Sequence, residues 1–348
     1  MMRDVISDID QWLTDDSPVA LATVVETWGS APRRVGAKMA LTASGKIAGS
    51  VSGGCVEGAV IDSGVEVLVT RQPQLLHFGV TDETAWNVGL ACGGTIDVFV
   101  EPLDPVSYAF IHGLLDEDEP FATVTIIKGP GELAGNKLVV QRGGRLFGQI
   151  DPALDGVAAA MARTALAGGG SRRQQLDLPD SGIEPLEVFI EVLKPAMTLV
   201  MIGGVHIAIT LTAIAKALGY LTIVIDPRRA FGSKERFPHV DKLIQTWPDK
   251  AFKQIKLNAS TAVASLTHDP KIDDPALKVA LASPAFYIGA LGSRTTHERR
   301  INRFLKDGVP RERLERIHGP IGLDIQAGSP EEIAVSIMAE IIEASHRN

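Results

Sequence analysis

The sequence predicts an α/β chain in two parts: an N-terminal α+β domain and a C-terminal Rossmann-like domain on a parallel, doubly wound sheet. Three observations predict it. Up to Glu101, short apolar runs alternate with glycine-marked turns around one helical stretch, the pattern of hairpins packed on a helix. After Pro195, strand-like and helix-like runs alternate, as in successive β-α-β units. Lys194-Pro195 separates the two styles. The expected domains are residues 1–194, with a core at 1–103 and an extension at 104–194, and residues 195–348.

In chain order, Pro18 to Thr27 ("PVALATVVET") is rich in β-branched residues and reads as a strand. "AKMALTASGKIAGSV" reads as a hairpin turning at Ala43-Ser44-Gly45-Lys46. The apolar period from Val56 to Val69 predicts a helix, with strands near 74–80 and 95–101 after it. In the extension, a helix near Val106 to Leu115 precedes the strands "FATVTIIKG", "NKLVVQRG" and "GRLFGQI". A helix near Leu154 to Leu166 and the strand "PLEVFIEVL" complete it, and no internal repeat stands out.

In the second domain, strand Thr198 to Ile202, helix His206 to Leu218 and strand Leu221 to Ile225 form a β-α-β unit. This apolar run is long enough for a membrane span, but Gly203-Gly204, His206 and Lys216 divide it, so no span is expected. "TAVASLTH" and "PAFYIGAL" are the later strands. The last helix opens on a capping box, with Ser329 at the N-cap, Pro330 at the first position and Glu332 at the third. Its apolar stripe packs equally well within a chain or against a second copy, which leaves a homodimer open.

A content of 45% hydrophobic and 22% charged residues is that of a soluble globular protein. The net charge of −8, without any Lys/Arg run, argues against nucleic acid as a partner. The start "MMRDVISDID" has no apolar signal segment. Two cysteines, Cys55 and Cys92, without CxxC spacing, exclude a disulfide framework and a zinc knuckle and fit a reducing cytoplasm.

Chemistry concentrates on a few turns. "SVSGGCVE" sets Cys55 behind Gly53-Gly54 and near the first turn of the expected helix, where free N–H groups and the helix dipole favour a thiolate. That is a nucleophile or soft-metal position, or else a tight turn with a buried small residue. "ACGG" puts Cys92 beside a second glycine pair. Neither cysteine has a His or Asp beside it in sequence, so a hydrolase triad is unsupported.

In "VMIGGVHIAI" the dinucleotide-type turn falls on Gly203, Val205 and Ala208, and Asp226 follows 23 positions after Gly203, where a ribose-binding acid belongs. Val205 replaces the central glycine and crowds a pyrophosphate. The second domain therefore reads either as a nucleotide site or as a Rossmann scaffold with an altered phosphate site. Arg228, Arg229 and Arg236 offer phosphate contacts or are solvated charges. His206 stands at the mouth of the turn. Thr267, His268 and Asp269 stand at the carboxyl end of a strand, for acid–base work or as a cap. Gly292 and Ser293 open a helix, a setting that suits an anion.

Together these residues resemble the xanthine dehydrogenase accessory factor family, also called XdhC/CoxI. "GSAPRRVGAKM", "GSVSGGCVEGAV" and "GLACGG" carry the likeness in the first domain. "IGGVHIA", "IDPRRAF", "LTHDPKIDDPAL", "YIGALGSRTTHERR" and "RIHGPIGLDIQAGSPEEIAVSIMAEI" carry it in the second. The one departure is Val205, where the family turn usually has glycine.

The resemblance implies a cytoplasmic, non-catalytic chaperone of the molybdenum cofactor, as molybdopterin or its dinucleotide form. Such a protein binds the cofactor, supports its sulfuration by a cysteine desulfurase and passes it to a molybdenum hydroxylase such as xanthine dehydrogenase. It assigns the cofactor-associated cysteine, a molybdenum contact, to Cys55. On this reading Arg33, Ser52, Gly53 and Gly54 hold the phosphate end and Cys92 assists. Gly203, His206, Asp226 and His268 line the other wall. Two rivals stand beside it: a nicotinamide-dependent oxidoreductase with NAD(P) on the second domain, and a redox module in which Cys55 and Cys92 form a reversible disulfide.

Overall fold

This computed structural model describes residues 1–31, 33–79, 94–117, 119–176 and 186–347. The chain divides into two units, Met1–Pro195 and Ala196–Asn348.

The first unit opens with α1 (Ile6–Thr14), β1 (Val19–Trp28), β2 (Lys38–Thr42) and β3 (Ile47–Gly49). α2 (Glu57–Thr70), β4 (Gln74–Phe78) and β5 (Thr95–Pro102) follow, and the strands form an antiparallel sheet ordered β3-β2-β1-β5-β4. The same succession then recurs. It runs through α3 (Pro105–Asp116), β6 (Phe121–Lys128), β7 (Lys137–Gln141), β8 (Leu146–Gln149), α4 (Asp155–Thr164), β9 (Arg172–Leu176) and β10 (Leu186–Leu193). Its sheet order is β8-β7-β6-β10-β9, strand for strand that of the first. The first unit is a duplication, which corrects the expectation of no internal repeat; residues 104–194 hold the second copy.

The equivalence extends to single residues. Thr23 pairs with Lys38 and Phe99, and Thr125 pairs in the same way with Lys137 and Phe189. The β-bulge falls on Val25 in β1 and on Ile127, its equivalent, in β6. Gly49 and Gly148 both have positive φ, 75° and 77°, and an added Cβ would overlap the carbonyl oxygen of Lys38 or of Lys137. Each helix covers its own sheet with matching residues: Val24, Val51, Val56 and Val98 in one core, Ile126, Ile150, Leu154 and Val188 in the other.

Between the two sheets lies a small symmetric cluster, Val25 and Phe99 from one copy with Ile127 and Phe189 from the other. Beside it, each copy lends a lysine to the other's glutamate. Lys38 Nζ lies 3.0 Å from Glu191 Oε2, and Lys137 Nζ lies 2.7 Å from Glu101 Oε1. The two lysines occupy equivalent positions, as do the two glutamates, so the ion pairs are crossed.

The second unit contains β11 (Thr198–Ile202), α5 (His206–Ala217), β12 (Leu221–Ile225), β13 (Lys242–Ile244) and α6 (Pro248–Ala251). β14 (Thr261–Ser265), α7 (Pro270–Ala282), β15 (Tyr287–Ala290), α8 (Arg294–Lys306), α9 (Arg311–Leu314), β16 (Ile317–His318) and α10 (Pro330–Arg347) complete it. The six strands are parallel, in the order β13-β12-β11-β14-β15-β16, with the expected doubly wound topology. α5 and α10 bury Leu211, Ala215, Ile337 and Ile341 on one face, and α7 and α8 bury Ile272, Leu277 and Phe304 on the other. The capping box is present: Glu332 N–H donates to Ser329 Oγ at 3.2 Å, and Ser329 N–H to Glu332 Oε2 at 3.1 Å. Among the described residues no helix is long and apolar enough to cross a membrane.

Candidate functional site

The strand registers gather the chemistry-bearing loops of the first unit at one end of its first sheet. β1 ends at Trp28 opposite Thr95, where β5 begins, and β4 ends at Phe78 opposite Ile96. β3 ends at Gly49 opposite Met39, the second residue of β2. The segments 29–37 and 50–56 therefore leave from the edge at which β4 ends and β5 begins. Gly94 lies against the start of the first of them, since an added Cβ would lie 2.6 Å from the Trp28 carbonyl oxygen and 3.3 Å from the Ser30 backbone. Cys92 lies outside the described residues. Arg33 is exposed on the segment 29–37.

Cys55 is half-buried and packs against the apolar core beneath α2. It stands next to the first turn of the helix, as expected: the N-cap is Val56 and Glu57 is the first helical residue. The loop before it is tied to that glutamate. Glu57 Oε1 accepts from Ser50 Oγ at 2.7 Å, Ser52 N–H at 2.8 Å and Gly53 N–H at 3.0 Å, and Oε2 accepts from Gly54 N–H at 2.8 Å and from the Ser52 hydroxyl. Ser52 Oγ in turn accepts from Val56 N–H at 3.0 Å. Gly53 and Gly54, with φ of 81° and 120°, give the chain the turn that aims these amides at one point. Burial pushes the Glu57 carboxyl up, but hydrogen bonds from Ser52 and Ser50 outweigh it and hold the group at about 2.

The phosphate cradle expected from Ser52, Gly53 and Gly54 is thus filled from within by a carboxylate. Sequence reasoning missed Glu57, although an acid opening a helix just after a glycine pair is a readable signal.

The second copy provides an internal control. There Asp155 opens α4, and its Oδ1 accepts from the amides of Ile150 at 2.8 Å and Asp151 at 3.3 Å, the equivalents of Val51 and Ser52. The intervening residues are Pro152, Ala153 and Leu154 in place of Gly53, Gly54, Cys55 and Val56. Both copies keep the acid, whereas the shorter loop of the second copy closes without a glycine pair or a cysteine.

In the second unit, Asp226 is fully buried at the end of β12. Its carboxylate accepts from Gly204 N–H at 2.8 Å and from the Arg228 backbone, Nε and Nη2 at 2.9, 2.9 and 2.8 Å. Every one of these donors is internal, so the acid expected to face a ribose serves the turn itself. An added Cβ on Gly204 would overlap the Phe231 carbonyl, and one on Gly203 the Thr267 methyl. The close approach that glycine permits is used by the protein's own chain.

A crevice of about 460 Å³ at the carboxyl ends of the strands is lined by Val205, Arg228, Leu266, Thr267, His268, Asp269 and Pro270. His268 is exposed in it, whereas His206, at the start of α5, pairs with Glu331 of α10 at 3.2 Å. Asp269 caps α7 through Lys271 N–H. Behind the crevice wall, Asp273 accepts from Ser265 and Thr267 hydroxyls at 2.8 and 2.5 Å, and burial pushes its carboxyl up. Arg300, also buried, donates to the Leu291 carbonyl at 2.9 Å. Among the described residues no group of three or more His, Cys, Asp or Glu is placed to hold a metal ion.

The model of an "XdhC and CoxI family" matches residues 12–79, and that of an "XdhC Rossmann domain" matches residues 199–341. A protein of Bacillus subtilis described as a probable subunit of xanthine dehydrogenase is 28% identical over 346 residues, covering 97% of both chains. The molybdenum cofactor insertion chaperone PaoD of Escherichia coli is 26% identical over 322 residues, covering 92% of this chain and 81% of PaoD. A crystal structure described as a xanthine dehydrogenase from Bacillus halodurans superposes with a TM-score of 0.76 at 25% identity, over 99% of this chain and 96% of that one.

Proposed function

We propose a function from one premise: the chain belongs to the XdhC and CoxI family. It acts in the insertion or maturation of molybdenum cofactor for a molybdoenzyme, as the similarity to PaoD and to the Bacillus subtilis protein supports. In the finer reading it binds the finished cofactor, supports its sulfuration by a cysteine desulfurase and delivers it to a hydroxylase of the xanthine dehydrogenase type.

One observation carries the placement of the cargo. The glycine pair and cysteine stand only in the first copy of a duplicated fold, and the second copy closes the same loop without them. A cysteine that the second copy replaces without losing the shared clasp is the residue we assign to function. Cys55 Sγ is a soft donor suited to molybdenum or to its sulfur ligand. With the amides of Ser52 to Gly54 committed to Glu57, the loop offers the thiol, and the phosphate end falls to side chains such as Arg33.

The test is anaerobic incubation with molybdenum cofactor followed by gel filtration, wild type beside Cys55→Ala. Co-elution of molybdenum with the wild type and its loss from the variant is expected. Equal retention by both removes Cys55 from the site, and retention by neither removes the carrier function.

A further inference from the structure

Comparison of the two copies isolates one residue whose work exceeds what the fold demands. Both acids, Glu57 and Asp155, open a helix and hold the same two amides of the loop before it: Val51 and Ser52 at 3.3 and 2.8 Å, Ile150 and Asp151 at 2.8 and 3.3 Å. That shared pair of bonds is the structural clasp. In the first copy the loop is one residue longer and the acid one methylene longer. The extra reach takes Glu57 to the amides of Gly53 and Gly54 and to the hydroxyls of Ser50 and Ser52, donors the second copy does not use. These bonds end at Gly54, immediately before Cys55.

We infer that Glu57 is the positioning residue of the cysteine loop: its carboxylate fixes the Gly53-Gly54 turn that presents the Cys55 thiol, and it keeps the loop amides closed to outside anions. The inference rests on the cofactor-carrier reading for what Cys55 contacts, but the positioning itself is measurable without cofactor. Gly53 and Gly54 are exposed and carry no side chains. Gly53 N–H keeps a second acceptor in Ser50 Oγ at 2.9 Å, but Ser50 Oγ is itself bound to Glu57 and Gly54 N–H bonds to Glu57, so without the carboxylate the turn samples more backbone states. The thiol would then be presented in many orientations.

The deciding variant is Glu57→Asp, which installs the acid that the second copy already uses. A purely structural role predicts full rescue, because aspartate suffices to clasp Ile150 and Asp151. A positioning role predicts a folded protein with a released thiol loop. Three readouts are taken on the full chain: thermal midpoint, the rate of Cys55 alkylation by iodoacetamide followed by mass spectrometry of its peptide, and retention of molybdenum cofactor.

The expected result is a midpoint within about 3 °C of wild type, an alkylation rate changed at least about threefold, and cofactor retention reduced about tenfold, a loss on the order of 1.4 kcal/mol. Wild-type alkylation and retention in Glu57→Asp overturn the inference. If wild type retains no cofactor, the carrier reading fails alone, and the alkylation rate still decides the role of Glu57. Should Glu57→Asp not fold, Glu57→Gln is the second variant. It keeps an acceptor oxygen for Ser52 and Gly53 but turns an amide NH₂ toward the Gly54 N–H. Unchanged alkylation in that variant overturns the inference equally.

Discussion

Lys38→Met removes the cation from one of the two crossed ion pairs that join the copies of the first unit. The Lys38 and Glu191 side chains are 5% and 11% exposed, and Lys38 Nζ also donates to Thr23 Oγ1 at 3.0 Å. Removing one partner leaves the Glu191 carboxylate buried without its counter-charge, a loss of about 3–5 kcal/mol. At about 2–4 °C per kcal/mol for a unit of this size, the transition falls by roughly 6–20 °C. The double variant Lys38→Met with Glu191→Leu removes both charges and keeps the volume, so it recovers most of that loss. The control is a pair whose cation is exposed: Lys128, 67% exposed and 3.0 Å from Glu187, changes stability by less than about 1 kcal/mol when replaced by methionine, because Glu187 keeps Arg173 as a partner. The assay is urea denaturation followed by the fluorescence of buried Trp12, fitted for the first unit. A single variant losing less than about 1 kcal/mol, or a double variant less stable than the single, would refute the reasoning.

Two further outcomes follow. The Glu57 carboxyl is held at about 2 against an ordinary 4.5, so its contribution is present above pH 4.5 and is lost as pH falls from there through 2. Discounted for the exposure of the group, Glu57→Gln is less stable than wild type by about 1–2 kcal/mol at pH 6, with the gap closing by pH 2, as acid and urea titrations would record. Gly49→Ala and Gly148→Ala, at equivalent positive-φ positions against a carbonyl oxygen, each destabilise by about 2 kcal/mol or more. Gly49→Ala costs the more, because its Cβ also meets Val5 Cγ1 at 2.6 Å; a cost below about 1 kcal/mol for either in paired denaturation curves would contradict the shared clash.

How much was legible in the sequence differs from element to element. The β-α-β opening of the second unit, the hairpin turning at Ala43 to Lys46 and the Ser329-Glu332 box all read correctly, because each is written in residues a few positions apart. The duplication was legible in principle. "GAKMALTASGKIAG" and "GNKLVVQRGGRLFG" share only Gly36/Gly135, Lys38/Lys137, Gly45/Gly144 and Gly49/Gly148, yet these are the positive-φ glycines and the paired lysine. What survives in the two copies is backbone conformation and charge, while the apolar residues between drift freely within a buried face.

The sequence by itself determined the order and type of the elements, the parallel sheet, and the placing of Cys55 behind a glycine pair. Only the tertiary structure decided what those features bind. Gly203 and Gly204 approach the protein's own chain, Asp226 is taken by Gly204 and Arg228, and the Ser52 to Gly54 amides are taken by Glu57. The physical reason is common to all three. Periodicity and capping are set by neighbours along the chain, whereas a donor or acceptor goes to whichever partner the folded backbone brings within about 3 Å, and a buried polar group must find one.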